Sequence, residues 1–408
     1  MHIGIDGRAL SNWRGFGVYL RELLAEIDRL SKHQVTLFVD ADQSQTTGAL
    51  AALPQAWRRI ILPPSGRSAF WREEMRLPRF YRDHPVDVFF HPDNNVCWHG
   101  RQPMVVTWHD SMVEMFPDYF FGRHPWRRTK GQLAHWLKLQ LLRHAASRVI
   151  TVSESSKRDL CRIGDVAPER VVVVHNGVHP RFRPPTDDTL ADRLQQDHGL
   201  TPGYILYAGG LNPHKNVEAL IRAYATLLDR PLGGTLPPLV LAGKLQDPEN
   251  PYIVTSARQL QDLVRQLGLT ARVHFLGYVP PDEHLVTLYQ GAAMLVFPSL
   301  YEGFGLPVAE ALACGTPVVT ANRSSLPEVA GDAALLIDPT SVPELAGAMA
   351  RLLTDPALAQ QLREAGPRQA ARFRWETTAR QTLAVLEAAV AVQRTPAAAP
   401  AGSPTHTV

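Results

Sequence analysis

The sequence predicts an α/β protein with two doubly wound, Rossmann-like domains that face each other across a cleft. Three observations predict this class. Short apolar runs alternate with amphipathic helical patterns, the pattern begins afresh near residue 190, and the chain has 408 residues. Alternating strands and helices are typical of parallel sheets, and single cores stop growing at about 250 to 300 residues. We therefore expect an N-terminal domain over residues 1–190 and a C-terminal domain over residues 191–374.

The first strand and helix show the pattern of the N-terminal domain. Ile3–Asp6 is a short apolar run, a loop with glycines follows, and large apolar residues recur at helical spacing from Tyr19 to Leu30. The other strands of this domain are predicted at Val35–Val39, Val86–Phe90, Met104–Trp108, Val149–Val152 and Val171–Val174.

The C-terminal domain repeats the alternation. Its strands are predicted at Tyr204–Ala208, Leu239–Ala242, Val273–Leu276, Met294–Phe297, Pro317–Thr320 and Ala334–Ile337. A last helical pattern over residues 375–392 either completes this domain or packs back on the first one. Residues 393–408 are rich in proline and alanine, so we expect a disordered tail there.

Composition excludes several classes of protein. The net charge is only +3, from 42 basic and 39 acidic residues, which disfavours nucleic-acid binding. The three cysteines have no metal-finger or disulfide spacing. The sequence has no run of roughly 18 to 20 apolar residues and no secretory signal pattern. We expect a cytoplasmic protein whose membrane contact, if any, is peripheral.

The most informative segment follows the predicted strand that ends at Phe297. A loop with Glu302 leads into a short helix, which starts near Pro307 and carries Glu310. Free N–H groups from about Gly303 to Val308 predict an anion site at the helix N-terminus. Two carboxylates beside an anion need other partners, and sugar hydroxyl groups fit. Either glutamate alone is equally well explained as a solvated or helix-dipole residue, whereas the pair predicts a ligand with phosphate and sugar.

This segment resembles the Glu-x7-Glu signature of the retaining glycosyltransferases of family four, which have the GT-B fold. The resemblance extends from Ile3 to about Leu386. It implies that Glu302 is catalytic at the donor sugar and that Glu310 binds the ribose of the nucleotide. It also implies that the donor sugar and diphosphate are held by the loop backbone, at Gly303, Phe304, Gly305 and Leu306.

A second stretch with this resemblance, Tyr207 to Asn216, follows the first strand of the C-terminal domain. Gly209 and Gly210 permit close backbone approach to a donor, and Lys215 is expected to begin a helix. The resemblance implies that Lys215 contacts the donor diphosphate and stabilises the leaving group, a task that other glycosyltransferases give to a metal ion. Many family members have arginine at the position of Gly210. We consider His214 or Lys244 as a substitute cation.

Two stretches of the N-terminal domain complete the predicted site. His109 and Asp110 follow a strand at its carboxyl end, and the resemblance implies a catalytic His109 near the donor sugar. Gly15 and Gly17 lie in a loop between a strand and a helix. The third glycine of a dinucleotide-binding motif is absent, because position 20 is leucine. The resemblance implies that this loop approaches the donor phosphates.

Other polar motifs have simpler explanations. The pair Asp40 and Asp42 is interpreted as a solvated turn rather than a metal motif. The stretches Thr151–Ser156 and Val174–Val178 also resemble family segments, but Ser153 is at least as well explained as a helix cap and Asn176-Gly177 as a turn, with backbone approach at Gly177 as the alternative. The basic aromatic cluster Arg123–Lys130, with Trp136 and Lys138 beyond it, fits either anionic lipid and a lipid diphosphate or a solvated helix face.

The motifs together predict hexosyl transfer from a nucleotide diphosphate sugar to a glycan or a lipid-linked saccharide. The resemblance implies retention of configuration and no metal or other cofactor. Local sequence looks most like bacterial mannosyl- or rhamnosyltransferases of surface-polysaccharide assembly, so GDP-mannose is the preferred donor. Two alternatives remain open: a nucleotide-sugar epimerase of similar fold, and an inactive nucleotide-sugar-binding protein.

Overall fold

The structure is a computed structural model of the chain. It describes residues 1–11, 15–40, 53–62, 77–96, 102–121, 125–186, 188–245, 251–280 and 282–394. Asp42, Arg123 and the predicted tail from residue 395 onward lie outside these ranges. No helix of the described part is both long enough and apolar enough to span a bilayer.

The first sheet contains seven strands from the described residues, in the order β3-β2-β1-β4-β5-β6-β7. Neighbouring strands from β3 to β5 run parallel. The strands are β1 (His2–Asp6), β2 (Gln34–Val39), β3 (Arg58–Ile61), β4 (Val88–His91), β5 (Met104–Trp108), β6 (Arg148–Thr151) and β7 (Val171–Val173). The helices over this part of the sequence are α1 (Gly15–Leu30), α2 (Leu77–Arg82), α3 (Met112–Met115), α4 (Pro117–Phe121), α5 (Pro125–Ala145) and α6 (Glu154–Ile163).

The second sheet contains six parallel strands from the described residues, in the order β10-β9-β8-β11-β12-β13. They are β8 (Tyr204–Ala208), β9 (Leu239–Ala242), β10 (Val273–Gly277), β11 (Ala292–Phe297), β12 (Val318–Ala321) and β13 (Ala334–Ile337). The helices are α7 (Leu190–His198), α8 (Val217–Thr226), α9 (Pro251–Gln266), α10 (Glu283–Gly291), α11 (Leu306–Ala313), α12 (Leu326–Ala330), α13 (Val342–Thr354), α14 (Pro356–Ala370) and α15 (Trp375–Arg394).

The chain divides into two compact units. Unit 1 contains Met1–Thr107, Gln140–Ile150 and the chain from Ala379 onward, and unit 2 contains Trp108–Leu139 and Thr151–Thr378. Most of α15 therefore belongs to unit 1, where Glu387 lies 3.1 Å from the His33 ring. The sequence boundary near residue 190 stays a prediction.

The predicted α/β class with two parallel sheets is confirmed, and each predicted strand is present within two residues of its expected ends. One further strand, β3, has the sequence Arg-Arg-Ile-Ile and lies at an edge of its sheet. Three of its four side chains are exposed, including Ile61. Such a strand lacks the apolar run by which buried parallel strands are recognised.

Candidate active site

Two adjacent strand ends in unit 2 bring the main predicted site residues together. β11 and β8 are neighbours in the sheet, so their carboxyl ends lie side by side. The loop after β11 contacts the turn after β8: Leu300 N–H donates to the carbonyl of His214 over 2.8 Å, and the Ser299 hydroxyl reaches the same oxygen at 3.2 Å. The loop with Glu302 and the turn with Lys215 therefore form one site.

Lys215 and Glu302 form a direct ion pair. The Lys215 Nζ donates to Glu302 Oε1 over 2.5 Å, and the two side chains are 16% and 10% exposed. The ammonium also lies 5.5 Å from the centre of the Phe297 ring. The lysine is thus fixed at the sheet edge, and an anionic ligand here would compete with Glu302 for its charge.

Lys215 does not begin a helix, contrary to the sequence prediction. It ends a 3-10 turn, Pro213–Lys215, and α8 begins at Val217. The intervening Asn216 has a left-handed backbone with φ of 58°. Its side-chain amide donates to the carbonyls of Pro298 and Pro339, at 3.2 and 2.6 Å. These bonds compensate for a backbone conformation that L-residues rarely adopt.

Gly209 and Gly210 follow β8, and the space around the two residues differs. Gly209 lies against Gly243, which follows β9. A Cβ added at Gly243 would lie 2.4 Å from the carbonyl of Gly209, so two chain segments approach closely there. A Cβ added at Gly210 would have its nearest neighbour, Asn212 Nδ2, at 3.7 Å. Position 210 therefore has space for a side chain.

The proposal that His214 replaces the missing arginine is not supported. His214 is 3% exposed and packs against the rings of Phe116 and Tyr119. Burial and the neighbouring charge of Lys215 lower the pKa of His214 to about 3. The ring is neutral at pH 7 and supplies no positive charge. Lys244 is half-buried after β9 and remains the other candidate.

The loop before α11 offers a set of backbone donors. Among the described residues, no acceptor lies at the N–H groups of Gly303, Phe304, Gly305 and Leu306. The sequence predicted free N–H groups as far as Val308, which is wrong for that residue, because Val308 N–H donates to the Gly305 carbonyl over 3.0 Å. Gly305 has φ of 103° and is the N-cap of α11, which explains the glycine. The donors and the ammonium of the neighbouring ion pair suit an anion.

Glu310 lies in the second turn of α11 and is 9% exposed. Its Oε2 accepts a hydrogen bond from the Tyr289 hydroxyl over 3.0 Å. Burial, with the Glu310 charge as a smaller cause, raises the pKa of Tyr289 well above its ordinary value, so the phenol stays a donor. The carboxylate is held in one orientation at the start of the helix.

His109 lies directly against the Glu302 loop. It follows β5 and is 6% exposed. A Cβ added at Gly303 would lie only 2.5 Å from the His109 carbonyl oxygen and 3.1 Å from Asp110 Cβ. Burial raises the pKa of Asp110 to about 6, and the charges of Glu302 and Glu114 act in the same direction. The predicted residues His109, Asp110 and Glu302 therefore belong to one site within unit 2.

Three serines contact the Glu302 loop, and the sequence predicted this contact for none of them, although Ser153 and Ser156 stand in a stretch that resembles the family. Ser153 and Ser156 lie at the start of α6, and Ser325 precedes α12. Ser153 caps α6 as expected, because its oxygen accepts from Ser156 N–H at 3.0 Å. All three hydroxyls also contact carbonyl groups of the Glu302 loop. The local sequence Ser153-Glu-Ser-Ser156 predicts a helix cap. It does not predict the contact with the Glu302 loop, which is distant in sequence.

The other predicted residues have different surroundings. Gly15 and Gly17 were predicted in a loop, but both lie in the first turn of α1 in unit 1, where Gly15 is exposed. Gly177 has a packing role, because an added Cβ would lie 2.2 Å from the Trp375 nitrogen. Metal-ligand spacing occurs among the described residues at Asp197, His198 and His284, a partly exposed group on α7 and α10 outside the predicted site.

Comparison with known proteins identifies the class. The family model of Glycosyltransferase Family 4 matches residues 13–182, and that of Glycosyl transferases group 1 matches residues 189–369. O-antigen chain mannosyltransferase B of Escherichia coli is 30% identical over 386 residues, which are 90% of this chain and 94% of that protein.

Two solved structures share the fold over nearly their whole length. Sucrose-phosphate synthase from Thermosynechococcus elongatus has a TM-score of 0.74 at 21% identity, with 96% of this chain and 100% of that chain covered. Anabaena Alr3699/HepE in complex with UDP and glucose has a TM-score of 0.73 at 20% identity, with 94% and 99% covered. The two parallel sheets are those of a GT-B glycosyltransferase. The chain belongs to glycosyltransferase family 4, as its motifs predicted.

Proposed function

We propose that this enzyme transfers a mannosyl group from GDP-mannose to a hydroxyl group of a growing polysaccharide or lipid-linked saccharide, with retention and without a metal ion. The Escherichia coli relative, an O-antigen chain mannosyltransferase, supports mannose as the sugar and a surface polysaccharide as the product. The complex of Alr3699/HepE with UDP and glucose supports a nucleotide sugar as the donor.

The observation that carries the proposal is the Lys215–Glu302 ion pair beside a loop in which four N–H groups have no acceptor within the described part of the chain. A sugar diphosphate needs positive charge and donors at its phosphates. The ammonium and the amides of the loop supply both, as preorganised groups that act where charge develops. A metal ion is then not needed for leaving-group stabilisation.

The transfer needs no group other than the donor, the acceptor and the residues of this site. The bond between the anomeric carbon and the β-phosphate oxygen breaks, and its electron pair stays on that oxygen. The acceptor oxygen forms the new bond on the same face of the sugar, and its proton passes to the departing phosphate oxygen. Lys215 and the loop amides stabilise the charge on the diphosphate, while Glu302 and His109 orient the electron-poor sugar.

Glu310 is assigned to the ribose of the nucleotide. Carboxylates accept hydrogen bonds from vicinal hydroxyl groups, and the bond from Tyr289 fixes this carboxylate in place. Gly15, Gly17 and Gly209 are assigned to backbone approach at the donor, and Gly210 is assigned to the donor site at a position with room for a side chain.

Peripheral contact with an anionic lipid surface is part of the proposal. One face of α5 exposes Trp126, Leu133 and Trp136, at 68%, 56% and 53% of their surface. Lys130 lies on the same face, with its ammonium 5.5 Å from the centre of the Trp126 ring. Aromatic and basic side chains on one exposed helix face suit the headgroup region of a bilayer, where a lipid-linked acceptor is found.

A donor panel with and without EDTA tests the proposal. GDP-mannose, UDP-glucose, UDP-N-acetylglucosamine and dTDP-rhamnose are compared by thermal shift and by release of nucleoside diphosphate. We expect GDP-mannose to stabilise the protein, with release unaffected by EDTA. Donor binding without release would identify an inactive binding protein. Conversion of the sugar without release would identify an epimerase, and loss of release in EDTA would contradict the metal-free mechanism.

A further inference from the structure

Three successive carbonyl groups of the donor loop, residues 302–306, lie against serine hydroxyls. The Gly303 carbonyl accepts from Ser153 Oγ at 2.7 Å, with Ser156 Oγ at 3.2 Å. The Phe304 carbonyl accepts from Ser325 Oγ at 2.7 Å, and the Glu302 carbonyl lies 3.0 Å from the same hydroxyl. Three successive carbonyls thus have hydroxyl partners, while the N–H groups that follow them have no acceptor among the described residues.

Each serine hydroxyl has one proton, so its shortest contact identifies the carbonyl to which it donates. Ser153 has its shortest bond to Gly303, and Ser156 has its shortest bond, 2.9 Å, to the His109 carbonyl. Ser153 still caps α6, because the cap uses a lone pair of its oxygen and not its proton. The Ser156 hydroxyl therefore holds the His109 carbonyl close to the Gly303 carbonyl, which the Ser153 hydroxyl holds.

Ser325 gives independent support. It occupies the N-cap position of α12, yet its hydroxyl makes no capping bond. Serine at this position ordinarily satisfies an N–H group of the first helical turn. Here the hydroxyl is directed to the loop instead, and the residue is fully buried. Its side chain serves the loop rather than its own helix.

Because peptide groups are planar, the hydrogen bonds to the loop carbonyls also fix the direction of the loop N–H groups. The described chain contains no cis peptide bond, so each carbonyl points opposite to the next N–H group. Holding the carbonyls of Glu302, Gly303 and Phe304 toward the serines therefore turns the N–H groups of Gly303, Phe304 and Gly305 away from them. The direction of three amide donors therefore depends on two serine side chains.

We propose that Ser153 and Ser325 are positioning residues, which aim the loop amides at the diphosphate of the donor, and that Ser156 aligns His109 with that loop. The inference rests on the proposed function, because it takes a nucleoside diphosphate as the ligand. Neither Ser153 nor Ser325 is proposed to contact the ligand. Each acts through the peptide groups that it holds.

The test compares binding of nucleoside diphosphates and monophosphates by the full chain. Isothermal titration with GDP, GMP, UDP and UMP is carried out on the wild type, Ser153→Ala, Ser325→Ala and the double variant. Ser341→Ala is the matched control, because Ser341 caps α13 through Glu344 N–H and has no bond to the loop. Ser153→Thr keeps a hydroxyl and serves as the rescue variant.

Each single alanine variant is expected to weaken diphosphate binding about two- to tenfold, the range for one neutral hydrogen bond. Monophosphate binding changes less, so the ratio of the two affinities falls. The double variant loses more than either single one, and Ser153→Thr and Ser341→Ala keep the wild-type ratio. The kcat for nucleotide release falls with the affinity, which a merely lower melting temperature does not produce.

An unchanged ratio in both Ser153→Ala and Ser325→Ala overturns the inference while donor binding by the wild type still supports the proposed function. Binding of UDP but not GDP by the wild type overturns only the guanine assignment, and the serine variants are then compared with UDP. Binding of neither diphosphate overturns both proposals. If Ser325→Ala does not fold, Ser325→Cys replaces it, since the thiol fills the space and is a weak donor.

Discussion

Substitution of Gly303 by alanine tests how closely the donor loop must approach His109. The added Cβ would lie 2.5 Å from the His109 carbonyl oxygen, and real Cβ atoms essentially never come within 3.0 Å of another atom. The loop or the His109 turn must therefore move by at least about 0.5 Å. Misplacement of about 1 Å costs catalysis on the order of a hundredfold, so we expect kcat/KM to fall about 10- to 100-fold. Overpacking of this kind also lowers the free energy of unfolding by about 1–3 kcal/mol.

The assay is the rate of nucleoside diphosphate release from GDP-mannose, with thermal unfolding measured in parallel. Gly347→Ala is the matched control. Gly347 lies inside α13, and an added Cβ there would have no neighbour within 4 Å. Alanine in a helix interior is expected to leave activity unchanged and to stabilise the fold slightly. If Gly303→Ala retains activity within twofold and melts like the wild type, the close approach of loop and turn is wrong.

Three further predictions concern charge and surface. Asp110→Asn should raise the free energy of unfolding at pH 7.5 by about 2–3 kcal/mol and leave it unchanged at pH 4. The pKa of Asp110 is about 6 in the folded wild type, so between pH 4 and pH 7.5 the folded protein binds more protons than the unfolded chain. The wild type therefore loses stability as the pH rises, and the asparagine variant does not. A flat difference between variant and wild type across pH 4–7.5 in urea titrations contradicts this. Gly210→Arg, which has room for its Cβ, should tighten GDP binding about three- to tenfold over Gly210→Met, because a second cation joins Lys215; equal dissociation constants in calorimetry rule it out. Trp126→Ala with Trp136→Ala should reduce sedimentation with vesicles containing anionic lipid at least about fivefold while release from GDP-mannose stays unchanged; undiminished sedimentation removes α5 as the contact.

Much of the fold follows from local sequence patterns, because buried parallel strands are short apolar runs with helical periods between them. β8 and β13 begin and end at the residues that the pattern predicts. β3 was missed because its residues are largely exposed and two of them are arginines. Its pairing with β2 comes from the tertiary structure and leaves no period in the sequence.

The predicted site residues were easier to identify than their contacts. Glu302 and Lys215 stood in motifs of recognisable type, but their ion pair joins residues 87 positions apart, and neither motif encodes it. The helix expected at Lys215 starts later, because Asn216 adopts a left-handed conformation held by distant carbonyls. His214 was considered as a cation, yet aromatic rings from α4 and its neighbourhood bury it. Burial depends on the assembled unit, which spacing does not reveal.

The central claim is that Lys215 stabilises a leaving nucleoside diphosphate without a metal ion. Its most direct test is GDP release from GDP-mannose in EDTA, compared between the wild type and Lys215→Ala. Loss of a group that acts on developing charge is expected to lower kcat about 100- to 1000-fold, measured at a temperature where both proteins are folded, because removing the lysine also leaves the buried Glu302 carboxylate without its partner. The account predicts that the wild type is active in EDTA and that the variant is not. Release by Lys215→Ala within a fewfold of the wild type, or release by the wild type that requires added metal, would contradict it.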